Sequence, residues 1–382
     1  MPRFTRMLAD GMKSCGHTVE VWAPKPEFYK LPAPQTIKKW LGYIDQFLVF
    51  PAEVNRKIKN CSYDTLFVFT DHALGPWVPL VAERPHVIHC HDFLAQFSAL
   101  GSIPQNPTSL TGRIYQNYIR RGYTKGRHFI SVSENTRQDL HTLLNATPDT
   151  SEVVYNGLNS EFTLQDTEQA RSILGKHIGL DLNSGYIVHV GGNEWYKNRA
   201  GVIHLYTAWR TISSFKIPLL LIGRDPSDTL VKVRLQSQFA DDIYFVSNLD
   251  DAMVKVAYAG ALVLLFPSLA EGFGWPIAEA MASGCPVITT AASPMTEVGG
   301  GAGFYIPCMP ANRNDIEAWA LEASQKIEQI LLLPSEARDA VIWKGLANAE
   351  RFDTSNAIHQ IHEIYQRILL SNKSTQKQLT EV

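Results

Sequence analysis

Residues 261–290 read ALVLLFPSLAEGFGWPIAEAMASGCPVITT. Ala261–Pro267 is a short, nearly unbroken apolar run, as expected of a strand buried on both faces. Pro276–Ser283 is helical in composition; Pro276 suits a first helical turn, and Gly284 stands where a C-terminal cap belongs. Val287–Thr290 is again apolar and β-branched, so the stretch predicts one βαβ unit of a parallel sheet. Between the first strand and the helix lies Glu271-Gly272-Phe273-Gly274-Trp275. A glycine-bearing turn that opens a helix presents bare backbone N–H groups and the positive helix end to an anion.

Glu271 and Glu279 frame that turn, one before the helix and one in its predicted first turn. Both then face the crevice beyond the strand ends, where α/β folds bind ligands. Carboxylates accept hydrogen bonds from vicinal hydroxyls, and the glycine turn suits phosphates; together they suit a sugar joined to a nucleoside diphosphate. A bare pair of glutamates at this spacing also reads as a surface residue beside a capping one. The full string EGFGWPIAEAMASGCPVI is more specific. It resembles the donor-binding signature of the retaining GT-B glycosyltransferases of family 4 (glycosyl transferase group 1). The resemblance implies an α/β chain of two Rossmann-like, doubly wound domains facing a cleft, with a C-terminal helix crossing back. It implies transfer, with retention and without a metal, from a UDP-, GDP-, ADP- or dTDP-sugar. The acceptor would be a hydroxyl of a glycan, a lipid-linked saccharide or a small molecule. No cofactor beyond the donor is expected.

At 382 residues the chain is long enough for two domains of ordinary size. A hydrophobic content of 45% with 19% charged residues describes a globular protein rather than a disordered one. The formal net charge of −2 gives no reason to invoke nucleic acid. Its distribution is uneven, with net +4 over residues 1–155 and net −6 over the remainder. A basic N-terminal half is compatible with an anionic acceptor or a membrane surface. The five cysteines are scattered and lack C-x-x-C spacing, which argues against zinc and a disulfide framework. No apolar run reaches the length of a membrane span and no signal-peptide pattern opens the chain, so a cytoplasmic location is expected, with the inner membrane face as a peripheral site.

Arg3–Cys15 reads as an amphipathic helix, and His17–Ala23 (HTVEVWA) alternates like a strand. In the resembled family an earlier strand and a glycine-rich loop precede this pair. The resemblance therefore implies an N-terminal domain lacking its first strand, and a weak enzyme in consequence. Ile37–Asn60 mixes aromatic, aliphatic and basic residues. Its simpler reading is a core-facing helix; its alternative is a helix on a membrane surface. Short strands follow at Thr65–Thr70, His86–His89 and His128–Val132, with helices over Leu110–Gly122 and from Ser133 to Leu144. SVSENTRQDL and VVYNGLNSEF again resemble the family, the latter as the last strand of the first domain. Residues 1–161 are thus expected to form the N-terminal, acceptor-side domain and residues 162–354 the nucleotide-sugar domain. Residues 355–371 would be the crossover helix and residues 372–382 a frayed tail. In the second domain, strands at Tyr186–Gly192, Pro218–Gly223, Ile243–Val246, Ala261–Pro267 and Val287–Thr290 alternate with helices.

YIVHVGGNEWYKNR, at 186–199, is a second strand, glycine turn and helix. Lys197 lies where the family carries a lysine for the distal phosphate, and an ammonium there would neutralise charge on the departing diphosphate. Relatives often carry arginines where this chain has Gly192 and Tyr196, so the resemblance assigns the remaining positive charge to Arg199 or Arg224. It also places Asn193 near the diphosphate and Val246 in the base pocket, with Gly272, Phe273 and Gly274 at the phosphates. His91, in HCHDF, would reach the donor sugar or the acceptor; the plainer reading is a strand-end histidine bonded to nearby backbone. Asp92 reads as a helix N-cap. No Asp-x-Asp occurs, which favours chemistry without a divalent metal. The competing readings are an idle sugar-nucleotide binder, a GT-B epimerase or phosphorylase and, more distantly, a dinucleotide oxidoreductase.

Overall fold

The computed structural model describes residues 2–158 and 161–380. Asn159 and Ser160, within VVYNGLNSEF, and Glu381 and Val382 of the tail lie outside them. The chain divides into two compact units, one of residues 1–155 with 355–382 and one of residues 156–354.

The first unit carries α1 (Pro2–Ser14), α2 (Gln35–Ile44), α3 (Phe50–Ile58), β1 (Phe67–Phe69), β2 (His86–Cys90), α4 (Leu94–Leu100), α5 (Leu110–Tyr123), β3 (His128–Ser131), α6 (Glu134–Leu143) and β4 (Thr150–Val153). The strands form one parallel sheet in the order β1-β2-β3-β4. Its two faces are built by alternation. Val87 and Ile130 join Leu8, Met12 and the terminal helix in one cluster, while Ile88 and Phe129 join Ile119, Tyr123 and Leu140 in the other. The terminal helix, Thr354–Thr380, contributes Ile361, Ile364, Tyr365 and Ile368 to the first cluster, each almost fully buried. Burial of each such side chain contributes about 1.5–3 kcal/mol. The helical backbone continues ten residues past Leu370, where the apolar periodicity ends and a frayed tail was expected.

Two expectations fail here. His17–Ala23 belongs to no sheet: Thr18–Ala23 form no ladder among the described residues. A period-two pattern becomes a strand only when a neighbouring backbone pairs with it. A cavity of about 580 Å³ lies between this segment and the free edge of β1, walled by Thr18–Trp22 and by Leu66, Val68 and Phe69. The second failure concerns Ile37–Asn60. A helical run does extend from Gln35 to Ile58, through a π-helical turn at Asp45–Val49, but only its second half faces a core. Phe50 and Val54 are buried, whereas α2 buries no residue.

The second unit carries α7 (Thr167–Ile178), β5 (Ile187–Val190), α8 (Arg199–Ile212), β6 (Leu219–Gly223), α9 (Asp228–Gln236), β7 (Ile243–Ser247), α10 (Asp251–Gly260), β8 (Val263–Phe266), α11 (Trp275–Ala282), β9 (Val287–Thr290), α12 (Met295–Gly299), β10 (Phe304–Ile306), α13 (Ile316–Leu331) and α14 (Ser335–Ala349). Its parallel sheet runs β10-β9-β8-β5-β6-β7. From β5 the chain builds outward through β6 and β7, then returns to place β8 on the other side of β5 and builds away again. The order therefore reverses between β5 and β8, whose register pairs Ile187 with Val263 and Val188 with Leu264. Such a reversal splays the loops at the strand C-terminal ends and opens a binding crevice there.

Candidate functional site

Two loops leave the sheet at that reversal, one after β5 and one after β8, and polar contacts clamp them together. Asn198, in the left-handed region at φ 49°, caps α8 by accepting from the Gly201 N–H at 3.1 Å. Its Nδ2 donates to the carbonyl of Pro267 at 2.9 Å. The Leu269 N–H and Ser268 Oγ both donate to the carbonyl of Tyr196, at 2.8 Å and 2.9 Å.

Lys197 and Glu271 meet in this clamp. Nζ of Lys197 lies 2.7 Å from Oε1 and 3.0 Å from Oε2 of Glu271. Both side chains are largely buried, at 16% and 8% exposure. Ser268 Oγ lies 2.6 Å from Glu271 Oε1, supporting the carboxylate from below. The ammonium also sits over the Phe266 ring, 5.2 Å from its centroid.

Glu271 leads into the glycine turn. Gly274 has φ 103° and is the N-cap of α11, a conformation that side chains resist. Phe273 is buried against Phe352 at 5.4 Å between ring centroids, which anchors the turn while Gly272 is half-buried. Pro276 occupies the start of the helix, as read from the sequence. Glu279 is the fifth residue of α11 rather than part of its first turn, because the helix starts at Trp275. It is buried, and Tyr258 Oη donates to its Oε2 at 3.1 Å.

The positions expected to add positive charge behave differently from one another. Arg199 is turned inward: Nη1 donates to Asn193 Oδ1 at 2.6 Å and to the Arg224 carbonyl at 2.9 Å, and Nη2 to the Leu221 carbonyl at 3.3 Å. It is 5% exposed and lies over the ring of Phe245. Asn193 is engaged at both ends, since its Nδ2 donates to the Asp225 carbonyl at 2.6 Å. Arg199 and Asn193 therefore brace the loop after β5 against the loop after β6. Arg224 is the exposed cation of this rim, with Nη1 3.9 Å from Glu194. Val246 lies in β7, just before Asn248 at φ 61°.

His91 belongs to the first unit and follows β2. Its Nε2 donates to the carbonyl of Thr70 at 3.0 Å, and its ring meets Phe4 edge-on at 4.6 Å. Burial lowers its pKa and keeps the ring neutral. His89 is fully buried, 2.7 Å from Tyr365 Oη, and burial lowers its pKa to about 3. Asp92 Oδ1 accepts from the Leu94 N–H at 3.0 Å at the start of α4.

Sequence reasoning passed over Ser268, Asn198, Tyr258 and His189. Ser268 and Asn198 sit inside the two strings already singled out, and a serine three residues before a buried glutamate is a readable signal. Tyr258 reaches Glu279 from another helix, and nothing in its neighbourhood announces that. Among the described residues no cluster of His, Cys, Asp and Glu has the form of a metal site, and no helix is long and apolar enough to cross a membrane.

The family model described as "Glycosyltransferase Family 4" matches residues 1–162, and that of "Glycosyl transferases group 1" matches residues 184–328. The chain is 25% identical over 256 residues to O-antigen chain mannosyltransferase B of Escherichia coli, covering 66% of this chain and 64% of that protein. It is 26% identical over 227 residues to the O-antigen chain mannosyltransferase RfbU of Salmonella typhimurium, covering 59% and 58%. The chain thus spans about three-fifths of the length of these two curated relatives. Among solved structures, Anabaena Alr3699/HepE in complex with UDP and glucose superposes with a TM-score of 0.66 at 19% identity. That match covers 93% of this chain and 88% of the other, and it places the fold in the GT-B class.

Proposed function

Because the chain belongs to the group 1 glycosyl transferases of family 4, we propose that it moves a hexosyl group from a nucleoside-diphosphate sugar to a hydroxyl acceptor. The observation that carries the reading is the buried Lys197–Glu271 pair beside the glycine turn, at the sheet's point of reversal.

In this reading the diphosphate lies against Gly272–Gly274 and the N-terminus of α11. The backbone N–H groups there and Lys197 stabilise charge as the sugar departs. Glu271 accepts hydrogen bonds from the sugar hydroxyls and Glu279 from the ribose. Backbone at Val246–Asn248 contacts the base, and Arg224 lends charge from the rim. Arg199 and Asn193 act one step back, by holding the loop. His91 keeps Nδ1 as an acceptor for a hydroxyl, since Nε2 is spent on Thr70. The anomeric configuration is retained, with the leaving phosphate helping to take the acceptor proton, and no metal is required. HepE's UDP and glucose complex supports a sugar-nucleotide ligand. The mannosyltransferase relatives support a hexose and a cytoplasmic step of glycan assembly.

A panel of radiolabelled UDP-, GDP-, ADP- and dTDP-sugars, each with small, glycan and lipid-linked acceptors, tests the proposal. Label should pass from one donor to an acceptor at a rate that Lys197→Met reduces by about 10²–10³. Donor binding without transfer to any acceptor would make the chain an idle binder and overturn the reading.

A further inference from the structure

One acceptor at the base of the site is unused. His189 lies in β5, beside the reversal of the sheet, and is fully buried. Its Nδ1 is 2.8 Å from the Leu265 carbonyl, which can only accept. Nδ1 therefore carries the ring proton, and Nε2 is a bare lone pair. No donor among the described residues reaches Nε2, although that atom is buried. A buried acceptor without a partner costs stability, so its presence in a folded protein asks for a reason.

Nε2 opens toward Lys197. A Cβ at Gly191 would lie 2.9 Å from Nε2 and 3.5 Å from Lys197 Cδ. The glycine at 191 thus leaves the lone pair uncovered beside the lysine chain. The two side chains also share the Phe266 ring. It lies nearly parallel to the His189 ring, with centroids 6.1 Å apart at 21°, and the Lys197 ammonium sits 5.2 Å from its centroid. Rotation about the two bonds at Cδ moves Nζ while Cδ itself stays beside Gly191.

Lys197 has three ammonium protons, and Nζ is bonded only to the two oxygens of Glu271. Those bonds loosen when a sugar takes up the carboxylate, as in the proposed function, on which this inference rests. We infer that His189 is a positioning residue for Lys197: Nε2 accepts an ammonium proton in the ligand-bound state and holds the charge beside the diphosphate. The ring stays neutral for this task, since burial, with Arg199 and Lys197 nearby, lowers its pKa to about 3.

Two substitutions separate this role from a structural one. In His189→Asn the short amide can still donate to Leu265 but leaves nothing at the Nε2 position. In His189→Gln the longer amide places an oxygen at the Nε2 position and gives up Leu265. With the donor that the labelled panel identifies, kcat should fall about tenfold to a hundredfold in His189→Asn, with a smaller change in KM, and largely recover in His189→Gln. Thermal unfolding should rank the two in the opposite order. A purely structural histidine would make His189→Gln the poorer enzyme.

Nitrogen NMR of histidine-labelled parent chain gives a reading that needs no variant to fold. On saturation with UDP-, GDP-, ADP- and dTDP-sugars in turn, the binding one should move the His189 Nε2 resonance to that of a hydrogen-bonded acceptor, with Nδ1 unchanged. Lys197→Met at saturation should show no such shift. No binding by any of the four would overturn the proposed function and this inference with it. Three results would overturn the inference alone: binding that leaves Nε2 unmoved, an Nε2 already hydrogen-bonded before ligand is added, or turnover kept in His189→Asn and lost in His189→Gln.

Discussion

Lys197 reaches Glu271 across the gap between the β5 and β8 loops, its ammonium within 3.0 Å of both carboxylate oxygens. The pair neutralises two charges that the sheet's end would otherwise hold uncompensated. Removing one partner strands the other, at a cost of about 3–5 kcal/mol for a buried pair. Lys197→Met should therefore lower the unfolding free energy by about that amount. Lys197→Met with Glu271→Gln should recover a large part of it. Urea unfolding of the two single variants and the double variant measures the coupling; additive losses would mean the pair is not coupled.

Gly223 makes a closer approach than any side chain tolerates. It has φ 153°, and a Cβ there would lie 2.1 Å from the carbonyl oxygen of Gly191. Main chain is on both sides, so neither partner can swing away. Gly223→Ala should destabilise the second unit by about 3 kcal/mol or more. It should also raise amide exchange across residues 190–194 and 223–226. A variant as stable as the parent would show that the two loops move apart freely.

Acid should weaken the second unit through His189. Its Nδ1 donates to the Leu265 carbonyl at 2.8 Å, and burial lowers its pKa to about 3. Below the ordinary histidine value near 6.5 the unfolded chain takes a proton that the folded chain refuses. Stability is therefore complete above that value and falls by about 1.4 kcal/mol per pH unit as pH drops toward 3. Between pH 7 and pH 5 the parent should lose about 2 kcal/mol more than His189→Gln, read by urea unfolding at each pH. Equal losses would place the titration elsewhere.

The brace formed by Arg199 gives a fourth expectation. Arg199→Lys keeps the charge but cannot span Asn193, Arg224 and Leu221 with one planar fork. Nucleotide affinity should drop about tenfold through misplacement of the loop, with added exchange at residues 191–194. An affinity loss without extra exchange would instead make Arg199 a direct ligand contact.

That residue also shows where sequence reading stops. Glu271, the glycine turn and α11 were legible because strand, turn and helix are contiguous, and their order alone determines which end of the sheet they crown. Arg199 follows the correct loop, yet its direction depends on Phe245 and on carbonyls of β6 and of the loop after it, which no local pattern encodes. Tyr258 meets Glu279 only because α10 and α11 pack together. His17–Ala23 has the alternation of a strand and remains unpaired, since alternation records a side-chain habit and not the presence of a neighbour. For α2, amphipathicity was visible but not which side it turns to solvent. Burial settles that, and leaves Trp40 outward.

In the proposed function the second unit holds a nucleoside-diphosphate sugar between Glu271, Glu279 and Lys197. Calorimetric titration of the parent, Glu279→Gln and Glu271→Gln with a nucleoside diphosphate and with its sugar conjugate tests it most directly. Loss of a charged acceptor corresponds to about 1.5–3 kcal/mol, or roughly tenfold to a hundredfold in Kd. Glu279→Gln should weaken both ligands by that factor, whereas Glu271→Gln should weaken the sugar conjugate far more than the bare diphosphate. Unchanged affinity of both folded variants for both ligands would contradict the account.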